Sequence, residues 1–301
     1  MIITEQGEKH LSSTAVSLTV TDLQVKRNRP NSLTCSTSCS LTFARQRYFW
    51  YKNGQFTGKN TDYSDPFVLS SGDEGSYSCS VYGYNSIFSS PLCISGKSCW
   101  SVTYKDRRVC VLEGSSVDFP CTYSYPSDIK VSDAFWHYSW SKEEPKDLRK
   151  EKQFAGRVAY IWDKEKNCTL RMSDVRKRDN GEYHFQIITY SQKGQFSGKP
   201  GVILSVTDLQ VRVIFSTESH GQTVILMCSS TCTLPNNPTY IWYKNGQPVS
   251  NKLTRDNKLY LKCSENAGNY SCAVGGHEKL RSPDQTLSDC ESCKTHLIND
   301  P

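Results

Sequence analysis

Cysteine is the residue with the most chemistry in this chain. Fourteen cysteines in 301 residues suit disulfides formed in an oxidising, extracellular setting better than a cytosolic enzyme. Cys290 and Cys293 have the C-x-x-C spacing of a redox dithiol or half of a zinc site. A redox motif needs a βαβ context and zinc needs a second ligand pair. Neither accompanies them, so they read as a tail dithiol. The six histidines are scattered, and none stands with a serine, cysteine or carboxylate in a catalytic arrangement. The expectation is a protein that is not an enzyme and has no cofactor and no metal site. Asn167-Cys168-Thr169 and Asn269-Tyr270-Ser271 are glycan acceptor sequons.

These residues must be positioned by strands. Seventeen tyrosines and six tryptophans, with frequent Ser, Thr and Gly, fit an all-β chain with many turns. The net charge of +6 is dispersed rather than gathered into a basic block, so nucleic acid is not an expected partner. No apolar run approaches the roughly 20 residues that span a bilayer. The opening "MIITEQGEKH" lacks the basic start and apolar core of a signal peptide. The sequence as given is therefore expected to be a fragment or a soluble form.

An internal repeat sets the architecture. "AVSLTVTDLQV" ending at Val25 matches "GVILSVTDLQV" ending at Val211. "LTCSTSCSL" matches "LMCSSTCTL", "FWYKNGQ" matches "IWYKNGQ", and "GSYSCSV" matches "GNYSCAV". Each copy resembles a variable-type immunoglobulin domain followed by a constant-type one, with the first copy lacking most of its variable part. The expected fold is all-β, a tandem of immunoglobulin-like β-sandwiches in the order constant-type, variable-type, constant-type. The expected boundaries are 1–21 for a two-strand remnant of a variable-type domain, 22–97 for a constant-type domain, 98–207 for a variable-type domain, 208–287 for a second constant-type domain and 288–301 for a disordered tail. The remnant, left without an opposing sheet, is expected to be poorly anchored. Short "SVTDLQV" junctions suggest a stiff rod.

Two packed sheets need a central aromatic and a covalent staple. In the constant-type domains these are Cys35–Cys79 with Trp50 and Cys228–Cys272 with Trp242. In the variable-type domain Trp136 follows Cys121 at the same spacing as Trp50 follows Cys35. Tyr77, Tyr183 and Tyr270 stand at the corner that enters the sixth strand. Arg157 is placed to pair with Asp179 across the bottom of the variable-type sandwich. Cys39 and Cys93 lie at loop ends that can face each other, which makes them a candidate pair.

One departure narrows the family. The usual partner of Cys121, two residues past the corner tyrosine, is Phe185, and the nearest alternative is Cys168 on the strand just before. A bridge within one sheet resembles the sialic-acid-binding immunoglobulin-like lectins, which include the inhibitory co-receptor of B cells. "CTYSYP", "DLRKEKQFAGRVAY" and "GKPGVILSVTDLQV" resemble that family as well. The resemblance implies a Cys121–Cys168 bridge and suggests that Cys232 joins Cys110 in the preceding domain. It also implies a sugar site in which an arginine five residues past the corner glycine grips the sialic-acid carboxylate. Here that position is Gln186, which donates one neutral hydrogen bond where a guanidinium would donate two charge-assisted ones. Trp100 and Tyr104 are the candidate aromatics for the glycerol side chain. The resemblance places the protein on the external side of the plasma membrane, as an ectodomain of an adhesion or co-receptor protein of immune cells that binds cell-surface glycoproteins or glycans. A soluble decoy-like product and a sialic-acid-binding lectin are the alternatives.

Overall fold

The computed structural model of the protein describes residues 23–37, 47–81, 84–95, 99–139, 144–162, 166–190, 194–218, 221–249, 254–262 and 267–288. The expected strand remnant, the expected tail with Cys290 and Cys293, and also Cys39 and Cys263, lie outside the described residues. Within them the chain is all-β, a tandem of immunoglobulin-like sandwiches. Helix is confined, among the described residues, to the single 3₁₀ turns Leu148–Lys150 and Lys177–Asp179. The chain divides into two compact units. One gathers Met1–Arg107, Asp118–Arg171 and Gly181–Ile203, and the other gathers Arg108–Val117, Met172–Asn180 and Leu204–Pro301.

In the first unit, the first constant-type sandwich sets one sheet of Leu23–Arg29, Ser32–Thr37 and Phe67–Val68 beside a second built on Gln55–Asp62, Arg47–Lys52, Gly75–Val81 and Tyr84–Phe88. Strand periodicity turns Tyr48 and Trp50, and Tyr77, Cys79 and Val81, to the core. The Cys35–Cys79 bond joins the sheets. Trp50 packs on Phe67 with ring centroids 4.9 Å apart, and its indole N–H donates to Thr61 Oγ1 at 2.9 Å.

The same unit holds most of the variable-type sandwich. There Val131–Tyr138 pairs antiparallel with Gly181–Thr189, which also pairs with Gln195–Ser197. Cys121–Ser124 pairs with Ser101–Tyr104, and a bridge from Thr122 to Asn167 continues that layer into Cys168–Met172. Cys121 and Cys168 are bonded to each other within this layer. Trp136, Tyr183, Phe119, Phe154 and Phe185 are fully enclosed. Gly181, with φ +154°, opens the strand where a Cβ would run into the ring and hydroxyl of Tyr138, so the close approach requires glycine.

In the second unit, Gln210–Glu218, Gly221–Ser229, Lys258–Lys262 and Thr254–Arg255 face a sheet of Gln247–Pro248, Tyr240–Lys244, Gly268–Val274 and Gln285–Leu287. Cys228–Cys272 joins the two sheets over Trp242, Tyr270 and Leu226. Leu112, from the segment that precedes the variable-type core in sequence, belongs to this cluster. A neighbouring bond ties this segment to that domain: Cys110 is bonded to Cys232.

Candidate functional site

The strand Gly181–Thr189 carries the position to which the sugar site was assigned. Alternation turns Tyr183, Phe185 and Ile187 into the core, leaving His184 and Gln186 on the outer face. Gln186 stands opposite Phe135 on one side and Ser197 on the other. It is only 3 % exposed. Its Nε2 reaches Gln195 Oε1 at a long 3.5 Å, and its Oε1 has no hydrogen-bond partner.

The two candidate ligand aromatics belong to the interior. Tyr104 is buried with its ring 5.5 Å from that of Trp136. Its hydroxyl donates to Gly198 O and accepts from Phe185 N–H, each at 2.8 Å. Burial drives its pKa well above the usual phenol range. Trp100 is buried too, stacked on Phe196 at 5.7 Å and tilted against Tyr125 at 6.1 Å. Both side chains therefore brace the end of the sandwich, which corrects the expectation that they face a sugar. The reason is strand order: Ser101–Tyr104 is paired with Cys121–Ser124, and Phe185 and Phe196 close over it. Gln186 is corrected likewise, since a side chain so enclosed presents no donor to a ligand.

A second correction concerns Cys93. It is bonded to Cys99, six residues on, rather than to Cys39. The short strand Leu92–Ile94 turns back at Ser95, which has φ +69°, and brings Cys99 beside it. Cys110 and Cys232 are joined, with Cα atoms 5.9 Å apart. Arg157 donates to Gln153 O at 2.8 Å and lies over the Phe154 ring. Asp179 is fully buried, and its carboxylate accepts from Arg176 N–H at 2.8 Å. Asn167 lies partly buried beside Cys168, whereas Asn269 is exposed and its Oδ1 accepts from Thr286 Oγ1 at 2.8 Å.

Sequence reasoning missed the polar groups of the same outer face. His137 and His184 are buried and stacked, with ring centroids 5.2 Å apart. His137 Nε2 is 3.4 Å from Ser197 Oγ, and His184 Nε2 is 3.5 Å from Glu182 Oε1. Burial and then the neighbouring His184 and Lys199 push the His137 pKa down from 6.5 to about 3. Burial raises the Glu182 carboxyl, but His184, the Gly201 amide and Arg107 outweigh it, and its pKa ends below the ordinary value. The period-two pattern "EYHFQII" marks these residues as outward. Nothing in it says that the outward face is covered. Asp147 was missed too. It is buried and accepts from Arg149 and from Tyr160 Oη at 2.7 Å, and Tyr160 Oη in turn accepts from Trp136 N–H at 3.1 Å.

Models of two immunoglobulin families match the chain: the immunoglobulin V-set domain over residues 104–207 and the immunoglobulin domain family Ig_2 over residues 208–292. Sialic acid-binding Ig-like lectin 13 of Pan troglodytes is 30 % identical over 156 residues, which are 45 % of this chain and 40 % of the relative. Sialic acid-binding Ig-like lectin 12 of Homo sapiens is 30 % identical over 175 residues, 52 % of this chain and 29 % of the relative. The chain is a Siglec-like protein of the immunoglobulin superfamily. Among solved structures, bovine butyrophilin is 17 % identical with a TM-score of 0.29, covering 63 % of this chain and 99 % of that one. The Siglec-like chain spans 40 % or less of the length of these curated relatives. Among its described residues no helix is long and apolar enough to cross a membrane, and no group of three His, Cys, Asp or Glu side chains is placed to hold a metal ion.

Proposed function

We propose that this chain is ectodomain sequence of a cell-surface adhesion or co-receptor protein of immune cells, and that its variable-type domain engages partners without a sialic-acid carboxylate grip. The observation that carries this reading is the enclosure of Gln186. A sialic-acid site needs an accessible fixed cation, because a guanidinium fork supplies both the charge and two parallel hydrogen bonds to the carboxylate. The lectin position holds a neutral amide with one orphaned oxygen, and Trp100 and Tyr104 are committed to the fold. Losing one partner of a desolvated charge pair costs about 2–5 kcal/mol, more than a shallow sugar site can absorb. The relatives' names record sialic-acid binding for those proteins. For this chain the kinship supports a surface-recognition role, with protein or non-sialylated glycan as the ligand class.

The test is binding of the purified chain, displayed multivalently, to immune cells before and after sialidase treatment. The expected result is binding that sialidase leaves unchanged. Binding lost on sialidase treatment and competed by free sialosides, but not by their carboxylate esters, would overturn the proposal.

A further inference from the structure

The two constant-type sandwiches are copies of one design, yet one position in them carries different chemistry. In the first copy Asn53 clamps Ser76: Asn53 N–H donates to Ser76 O at 2.7 Å, and Ser76 N–H donates to Asn53 Oδ1 at 2.8 Å. In the second copy Asn245 clamps Asn269 in the same way, at 2.7 and 2.9 Å. Ser76 and Asn269 each stand one residue before a core tyrosine, Tyr77 or Tyr270, so both are directed to the outer face of the sheet.

Their surroundings differ. Ser76 is 3 % exposed, and its Oγ donates to Trp100 O at the start of the variable-type domain. A Cβ on the neighbouring Gly54 would meet the Phe196 ring at 3.4 Å, and the Lys199 ammonium lies 5.1 Å from the Phe88 ring centroid. The face around Ser76 is therefore the seat of the next domain. In the second copy Asn269 is exposed. A Cβ on Gly246, the counterpart of Gly54, would meet no described residue within 4 Å. Arg281, at the position of Phe88, lays its guanidinium on Tyr243 at 3.6 Å.

Asn269 opens the sequon Asn269-Tyr270-Ser271, and a branched, hydrated glycan needs open surface of this kind. Its Oδ1 accepts from Thr286 Oγ1, whereas a glycan is attached through Nδ2, so the two are compatible. The other sequon is built differently. Asn167 is half-buried and bridged to Thr122, and the middle residue Cys168 is bonded to Cys121. That bond fixes the sequon in the layer as soon as it closes.

We infer that Asn269 carries an N-linked glycan, that Asn167 does not, and that this glycan covers the sheet face which seats a neighbouring domain in the first copy. The donor is a lipid-pyrophosphate-linked oligosaccharide. Asn269 Nδ2 bonds to the anomeric carbon of the first sugar and loses a proton, while the sugar–phosphate bond breaks and the lipid pyrophosphate leaves. The inference rests on the extracellular reading proposed above, because that donor is met on the secretory route.

The experiment is expression of the full chain behind a secretory leader in mammalian cells, followed by intact mass and glycopeptide mapping. One N-glycan, removed by peptide N-glycosidase, is expected. Asn269→Gln should lose it completely and Asn167→Gln should keep it. A bare Asn269 in the secreted chain, or equal occupancy at Asn167, would overturn the inference. Because the leader brings the chain to the donor wherever it naturally resides, that failure leaves the surface-recognition reading to its own sialidase test. Ser76→Asn writes the same Asn-Tyr-Ser sequon into the first copy and tests the claim about the face. The variant should either stay bare at that position or gain a glycan together with faster hydrogen exchange in residues 47–56, 84–91 and 195–199. A second glycan with exchange unchanged in those segments would show that seat and glycan coexist, and would overturn the claim.

Discussion

The indole N–H of Trp136 donates to the carbonyl of Cys168 at 2.7 Å. Cys168 is itself bonded to Cys121, so the core tryptophan and the covalent staple act on one strand. The arrangement differs in each sandwich. Trp50 donates to the Thr61 hydroxyl, while the buried Trp242 indole N–H has no partner.

That difference predicts unequal costs for the same substitution. Trp136→Phe strands a buried carbonyl and should destabilise its domain by about 1–3 kcal/mol beyond the loss of packing. Trp242→Phe lacks that added cost. Local hydrogen-exchange protection measures each domain separately, which a single melting curve of a multidomain chain does not. Equal losses at the two positions would refute the assignment.

Tyr104→Phe takes the partner from Phe185 N–H, while Gly198 O keeps His184 Nδ1 at 3.2 Å. A loss of about 1–3 kcal/mol for the stranded amide is expected, with no change in cell binding per folded molecule. Had the hydroxyl faced a ligand, binding would fall while stability stayed put.

Non-reducing peptide mapping should recover Cys93–Cys99 and Cys110–Cys232. In the chain-entropy model the second closes a loop of 122 residues and the first a loop of 6, worth about 5 and about 2 kcal/mol. Replacing Cys110 and Cys232 together by serine should therefore lower thermal stability more than replacing Cys93 and Cys99.

Asp147 offers a pH test. Burial raises its carboxyl, but the Arg149 and Tyr160 hydrogen bonds outweigh burial, and the pKa ends below the ordinary value of 3.8. A depressed carboxyl contributes stability above its unfolded pKa and loses it as pH falls through the folded one. Asp147→Asn should cost about 1–3 kcal/mol at pH 7 and flatten the stability profile below about pH 4. A mutant as pH-sensitive as the parent in that range would count against this.

The staples, the three core tryptophans and the alternating strands were legible because each is a local pattern. Two sheets spaced for a disulfide demand a cysteine, a tryptophan some fifteen residues on and a period of two. The all-β tandem followed from those spacings, whereas the Siglec-like kinship came from a resemblance carried by "CTYSYP", "DLRKEKQFAGRVAY" and Phe185. Cys93 was misjudged because a six-residue loop can close on itself when one residue takes a left-handed turn, as Ser95 does, and no spacing rule announces that.

The exposed or enclosed state of an outward side chain is a different kind of property. Alternation puts His184 and Gln186 on the outer face whatever surrounds it, and Trp100 and Tyr104 on a strand near the sheet's end. Whether those side chains meet water or protein depends on neighbours from other strands: Gln195 and Ser197 beside Gln186, Gly198 at His184 and Tyr104, and Phe196 on Trp100. Sequence alone determined which residues build each sandwich, because backbone geometry dictates their period. Only the tertiary structure decided that the lectin position is shut, because burial is a sum over neighbours that no local pattern contains.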